Sequence, residues 1–203
     1  MSDGSPIFGG RVPAIAIQRI QQLKGNNAQA ILVAVYGNRA FEDTLLELKN
    51  TVQESGFRTV AAVAANAEHS IMHQFGTGRP DEEDKKELEQ FASIIKETLK
   101  SNPQKSDVAV PGNYPYREFG GLPIKPKADK NCDKCGLCAT KCPAGAISKE
   151  CPSTTDSEKC ISCMRCVAIC PKNARKVNKL LVSVASSKMK KACSERKKNE
   201  LFV

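Results

Sequence analysis

Tryptophan is absent from this chain, and aromatic residues make up only 5% of its 203 residues. Its core must therefore be mostly aliphatic. No apolar run approaches the roughly 20 residues that a membrane helix needs. The opening stretch "MSDGSPIFGG" lacks the basic segment and following apolar run of a signal peptide. These absences predict a cytoplasmic protein that does not enter a membrane. Cysteine is missing too, from residue 1 to residue 131. All ten cysteines come later, nine of them between Cys132 and Cys170. A chain without an export signal that concentrates its thiols this way points to an intracellular metal protein rather than a disulfide scaffold.

Acidic residues are scarce at the C-terminal end. From Pro171 to Val203 there are ten Lys or Arg against two acids, whereas residues 1–123 hold 13 basic and 15 acidic side chains. The formal charge of +9 is thus a property of the C-terminal part. Thiolates bound to metal would reduce it further.

The cysteines form two runs of one spacing, C-x2-C-x2-C-x3-C-P. The first is Cys132, Cys135, Cys138, Cys142 and Pro143; the second is Cys160, Cys163, Cys166, Cys170 and Pro171. A structural zinc site asks for four ligands on one tetrahedron, usually from two separated C-x2-C pairs. Three thiols on one tight loop suit a broader iron–sulfur cubane, and soft thiolates match it. The spacing resembles that of the bacterial two-cluster ferredoxin, where the fourth Cys of each run serves the other cluster. On that pattern Cys132, Cys135, Cys138 and Cys170 hold one [4Fe-4S] cluster. Cys160, Cys163, Cys166 and Cys142 hold the second. A segment this short has little core of its own, so its apo form should be largely unfolded. "AGAIS" (144–148) and "KNARKV" (172–177) read as matching short strands, with Ile147 and Val177 packed against the clusters. Cys151 and Cys193 lie outside the ligand pattern.

Before the cysteines, "AQAILVAVY" (28–36) and "TVAAVAA" (59–65) are apolar runs of the kind buried on both faces of a parallel sheet. Helical patterns lie at 13–23, 42–55 and 81–100, the last two acidic at their starts. This alternation predicts a doubly wound α/β domain over residues 1–101. In such sheets ligands sit beyond the carboxyl ends of the strands. "SPIFGGRVP" (5–13) and "YGNRAFED" (36–43) occupy that place. A Pro-rich linker with Tyr114, Tyr116 and Phe119 should follow over 102–130, then the cluster domain over 131–178 and a basic tail over 179–203. His69 and His73 read as loop or helix residues near the sheet edge.

The whole order of pieces resembles the flavodoxin–ferredoxin fusion proteins of anaerobic bacteria and archaea. "SPIFGGRVP", "VYGNRAFEDTLLELK", "AEHSI", "GRPDEED", "PGNYPY" and the two cysteine runs carry the likeness. It implies a flavodoxin-like parallel sheet that binds FMN, followed by a small α+β two-cluster ferredoxin domain. Phe8, Gly9 and Gly10 would belong to one isoalloxazine loop, and Tyr36, Gly37, Asn38 and Arg39 to the other. The chain departs from that pattern at its start, where it opens on the end of what corresponds to the third strand. No phosphate loop of the T-x-T-G-x-T kind is present, so the first part of the flavodoxin domain is absent and FMN lacks the helix N-terminus that would hold its phosphate.

The expected activity is electron transfer through two [4Fe-4S] clusters, with a relay to or from FMN if flavin binds. The basic C-terminal residues would steer acidic redox partner proteins. A flavin-dependent oxidoreductase that reduces a small substrate is the alternative. A nucleic-acid-binding module has little support, because no basic groove alternates with aromatic rings.

Overall fold

A computed structural model of the chain describes residues 2–203, with backbone alone for Ser2–Pro6; Met1, the first residue of the expected 1–101 domain, lies outside the described residues. Its elements in order are β1 (Ser2–Pro6), α1 (Ala14–Ile20), β2 (Gln29–Tyr36), α2 (Thr44–Glu54), β3 (Arg58–Asn66) and α3 (Glu82–Ser101). Then come β4 (Lys127–Ala128), α4 (Leu137–Thr140), α5 (Arg165–Ala168), β5 (Arg175–Lys176), α6 (Lys179–Cys193) and β6 (Glu200–Phe202). The chain divides into two compact units. One holds residues up to 69, 73–119 and 191–203; the other holds 70–72 and 120–190.

The first unit is built on a sheet of order β1-β2-β3-β6. β1, β2 and β3 run parallel, and β6 runs antiparallel to β3 with Ala62 opposite Phe202. Along β2 burial alternates residue by residue, although every residue after Gln29 is apolar. The reason is that two unequal covers lie on the two faces. Leu32, Ala34 and Tyr36 pack under Leu45, Leu48 and Val52 of α2 and Ile20 of α1. On the other face Ala61, Val63 and Ala65 pack under Leu88, Phe91, Ile95 and Leu99 of α3. Beside α3 an apolar groove of about 630 Å³ remains open over Ile31, Val33 and Val35. The strand order among the described residues runs straight through, without the reversal that defines a doubly wound sheet. Both parallel crossovers progress in one direction, so α1 and α2 share a face.

Each helix has a local cause. Asp81 caps α3: its side chain accepts from the N–H groups of Glu83 and Asp84, while Asp84 reaches back to the Asp81 N–H. This is a reciprocal cap, followed by apolar residues at helical spacing. α2 stops at Gly56, whose φ of +85° is open to glycine and strained for other residues.

Residues 179–203, expected as a basic tail, form a helix and a sheet strand. The segment before β6 is tied down by side chains of the first unit. Asn199 Oδ1 accepts from the Asn66 N–H at 2.7 Å. Asn199 Nδ2 donates to Asp84 and Glu87 at 3.0 and 2.6 Å. Asp84 is fully buried and paired with the buried guanidinium of Arg79, which also donates to the Lys197 carbonyl. The stretch 102–119 is anchored through Asp43, whose carboxylate accepts from the N–H groups of Asn113 and Arg117 at 2.8 and 2.7 Å. Of its three aromatic residues, Tyr116 lies under Arg11 at 5.0 Å, while Tyr114 is 80% exposed.

Apart from α6, most of which belongs to it, the second unit has little regular structure. β4 and β5 form a two-residue antiparallel pair, and α4 and α5 are single turns. β5 lies inside the expected 172–177 strand, but its partner is Lys127–Ala128. No strand is present over 144–148 among the described residues, where backbone bonds run from the Gly145 N–H to the Cys142 carbonyl and from the Asp156 N–H to the Ala146 carbonyl.

Candidate metal centre

The repeat in sequence is a repeat in backbone. Lys134 and Gly136 take φ of +60° and +76°, and their counterparts Ser162 and Met164 take +58° and +59°. Two left-handed residues flank the second cysteine of each run and turn it into the one-turn helix that carries the third. Met164 holds this conformation without glycine's freedom, at a cost of about 1–2 kcal/mol. Its side chain is buried and lines a small void with Cys142, Cys160, Cys163 and Cys166. Those are the four thiols expected to share the second cluster.

After each run the chain turns back so that a backbone N–H meets the fourth sulfur. Ala146 N–H donates to Cys142 Sγ at 3.3 Å, and Ala174 N–H donates to Cys170 Sγ at 3.3 Å. Such bonds favour a charged sulfur. Burial opposes ionisation of the Cys170 thiol, but the N–H groups of Ala174, Arg175 and Lys172 outweigh it and lower its pKa. Burial dominates elsewhere: it pushes the Cys163 thiol up, and that of Cys166 to about 11. Iron bound at these sulfurs would supply the positive charge that ionisation needs.

The donor set fits an iron–sulfur group. All ten cysteines are free of disulfides. Among the described residues no three His, Cys, Asp or Glu side chains are gathered closely enough for a single metal ion. A cubane asks for thiols spread around a void rather than converging on a point. The Ser162 hydroxyl is fully buried without a hydrogen-bond partner, one residue from Cys163, where a sulfur could accept from it. Ile147, 5% exposed, packs with Cys138, Ala139, Cys142 and Cys166, as expected. Val177 does not mirror it. The residue that follows "CPKNA" as Ile147 follows "CPAGA" is Arg175, and it is 2% exposed. Reading the residues singly passed over Arg175; setting one run above the other would have found it. Cys151 is exposed, and a hydrogen bond with Ser153 lowers its pKa. Cys193 is buried, which raises its pKa.

The two loops assigned to flavin also meet. Phe8 and Arg11 exchange backbone bonds at 3.2 Å around Gly9 and Gly10. A Cβ on Gly10 would fall 1.8 Å from the Glu42 carboxylate, and one on Gly9 would fall 2.2 Å from the Phe119 ring. Gly37 lies against the His69 backbone, 2.8 Å from where its own Cβ would be. The polar groups of these loops are engaged by protein. Tyr36 OH donates to the Lys198 carbonyl at 3.2 Å. Asn38 donates to the carbonyls of Cys193 and Glu195 and accepts from the Lys197 N–H. Arg39 pairs with Glu42 at 2.6 Å. His73 pairs with Glu68 at 2.6 Å, and burial lowers the pKa of His69.

Comparison with known proteins bears on the second unit. Residues 131–175 match the family model described as 4Fe-4S dicluster domain, so the chain carries such a domain there. A stretch of 55 residues is 44% identical to one subunit of the ion-translocating oxidoreductase complex of Methanosarcina acetivorans, covering 27% of this chain and 21% of that protein. The chain therefore spans about a fifth of the length of the curated relative it matches. The matched family describes no flavodoxin-like domain. Among the described residues no helix is long and apolar enough to cross a membrane.

Proposed function

We propose that the protein carries electrons through two [4Fe-4S] clusters, one held by Cys132, Cys135, Cys138 and Cys170, the other by Cys160, Cys163, Cys166 and Cys142. The observation that carries this reading is the doubled cysteine run with a matched backbone N–H on the fourth sulfur of each copy. Each cluster, when bound, takes up and releases one electron. The chain's own part is to hold the thiolates, exclude water with Ile147 and Met164, and set hydrogen bonds on the sulfurs. Likeness to part of an ion-translocating oxidoreductase complex supports a role in passing electrons to a protein partner. α6, with exposed Leu180 and Val184 beside Lys179, Lys188 and Lys190, supports a partner surface that is acidic.

The test is anaerobic reconstitution of the full chain with iron and sulfide. Two clusters require about eight irons per chain and a dithionite-reduced spectrum of interacting clusters. Two tightly bound zinc ions and no iron would overturn the reading. The relay to or from FMN is a finer form of it, supported by the resemblance and by the approach of Gly10 to Glu42, which brings the 5–13 and 36–43 loops together. Flavin in that place requires Tyr36 and Asn38 to release the C-terminal segment. Stoichiometric FMN on acid release, after reconstitution with FMN present, would support the relay. An iron-replete, flavin-free chain would overturn it.

A further inference from the structure

We infer that electrons enter and leave the chain over Cys135, where Lys134, Leu137 and Lys141 form a docking face for an acidic redox protein. The inference rests on the ligand assignment proposed above and not on α6. Of the eight assigned ligands, Cys135 is exposed, Cys138 is buried and the other six are half-buried. Electron transfer weakens steeply with distance, so a partner gains most by sitting over the least covered ligand.

The two runs share their backbone turns but not their surfaces. Position by position, exposed Lys134 stands against Ser162, which is fully buried. Gly136 stands against buried Met164, exposed Leu137 against Arg165, and exposed Lys141 against half-buried Ile169. Cys135 therefore reaches solvent, whereas its counterpart Cys163 is half-buried. The segment before β4 closes the second run. Ile124 and Pro126 are buried, Pro126 lines the void beside Cys160 and Cys163, and Lys125 Nζ donates to the Cys160 carbonyl. Thr155 Oγ1 fixes that segment by donating to the Pro126 carbonyl at 2.7 Å.

The face around Cys135 has the anatomy of a small interface, an apolar centre with a charged rim. Leu137 is 38% exposed. Lys141 follows it by one helical turn, its N–H bonded to the Leu137 carbonyl at 3.0 Å. Over residues 130–141 the exposed lysines are Lys130, Lys134 and Lys141, against one acid, Asp133. The loop engages that acid: Asp133 Oδ1 accepts from the Cys135 N–H at 3.2 Å. The acid before them, Asp129, is paired with Lys176 at 2.5 Å. The surplus positive charge selects an acidic partner and steers its encounter. Electron-transfer encounters bury little area, so one leucine and three lysines are a sufficient core and rim. One electron passes between the bound cluster and the partner's own one-electron centre, and no bond at the Cys135 sulfur forms or breaks.

The experiment follows the cysteine β-methylene protons of the reconstituted, oxidised chain by magnetic resonance, since cluster iron shifts them away from other signals. Two soluble relaxation agents are added in turn, anionic chromium(III) tris-oxalate and a neutral gadolinium macrocycle. Both should broaden the Cys135 signals more than those of Cys163, the anionic agent by about threefold or more at low salt. A second readout is electron transfer from the reduced chain, freed of dithionite, to rubredoxin, a small acidic one-electron protein. Lys134→Glu should slow it about fivefold or more at low salt, while Arg165→Glu, the same charge reversal on the second run, should change it less than about twofold. Leu137→Asn should slow it about threefold at every salt concentration, because an apolar contact is not screened. Equal broadening of Cys135 and Cys163 overturns the inference whether or not any variant assembles. So do wild-type rates in iron-replete Lys134→Glu or Leu137→Asn, or a larger loss in Arg165→Glu. Protection of the Cys135 signals that grows with the chain's own concentration would mean that a second copy covers this face, and overturns it too. A chain with no [4Fe-4S] signal at all would instead sink the ligand assignment.

Discussion

The two units of this chain solve the stability problem by different means. The first buries Leu32, Leu45, Leu48 and Val52 completely beneath a sheet and two helices, and it closes its far edge with β6. The second, over residues 120–190, has a core cluster whose buried members are Cys138, Ala139 and Ile147, two two-residue strands, two single-turn helices and most of the largely exposed α6. An aliphatic core of the first kind stands on apolar burial. The second unit has too little of it and must draw on its ligands, since metal-binding free energy in such segments is folding free energy.

The largest expected effect separates them directly. Chelation of iron from the reconstituted chain under anaerobic conditions should unfold residues 120–190 and leave the sheet unit standing. Limited proteolysis checks this: cuts should fall between residues 120 and 190 while residues 2–119 resist. Equal protection of both units after iron removal would break the comparison. So would loss of both together.

A smaller effect, about 3–5 kcal/mol, is expected inside the first unit when Asp84 is replaced by Ala, which leaves the buried Arg79 charge without its partner. The hydrogen bond from Arg79 holds the Asp84 pKa far below its ordinary carboxylate value. A depressed carboxylate pKa contributes stability that is fully present above the unfolded value, about 4. That contribution declines as the pH falls below about 4, toward the folded pKa. The wild-type sheet unit should therefore lose stability in that acid range, and Asp84→Asn should show a shallower loss. Denaturant unfolding of the iron-free chain at several pH values measures it, because the second unit is then already open. Parallel acid profiles for the two proteins would remove Asp84 from the account.

Legibility in the sequence followed the range of the interactions. The cysteine runs could be read because cluster ligation is written in spacings of two and three residues. β2 and β3 could be read because a strand buried on both faces is apolar at every position. The acidic stretch from Asp81 announced the start of α3, though not its reciprocal cap. β6 was hidden, since three residues of "ELF" carry no periodicity and their pairing depends on contacts such as Asn66 with Asn199, 133 residues away. The basic C-terminal stretch looked uniform as a count of charges, yet Arg175 is buried near ligand thiols and Arg196 pairs with the Asp81 cap. The loops around Gly9 and Asn38 lie just past the ends of β1 and β2, a place that the alternation of strand and helix is enough to predict. That their polar groups are taken up by the C-terminal segment could not be read from either loop alone.

The smallest expected effect sharpens the comparison at the surface of the second unit. Lys179, Lys188 and Lys190 are exposed on α6, and Lys179 lies nine residues after Cys170. Replacing all three by Gln should leave stability within about 0.5 kcal/mol, as surface changes usually do. It should slow oxidation of the reduced protein by an anionic acceptor such as ferricyanide, by about threefold at low salt, because steering scales with local charge. The same substitutions should leave or speed oxidation by a cationic cobalt hexaammine complex. Both differences should vanish in 1 M salt, where the screening length is about 3 Å. Equal rates for the triple variant and the wild type with both oxidants at low salt would mean that electrons leave by a face α6 does not influence. The acidic-partner reading would then fall, while the two-cluster reading would stand.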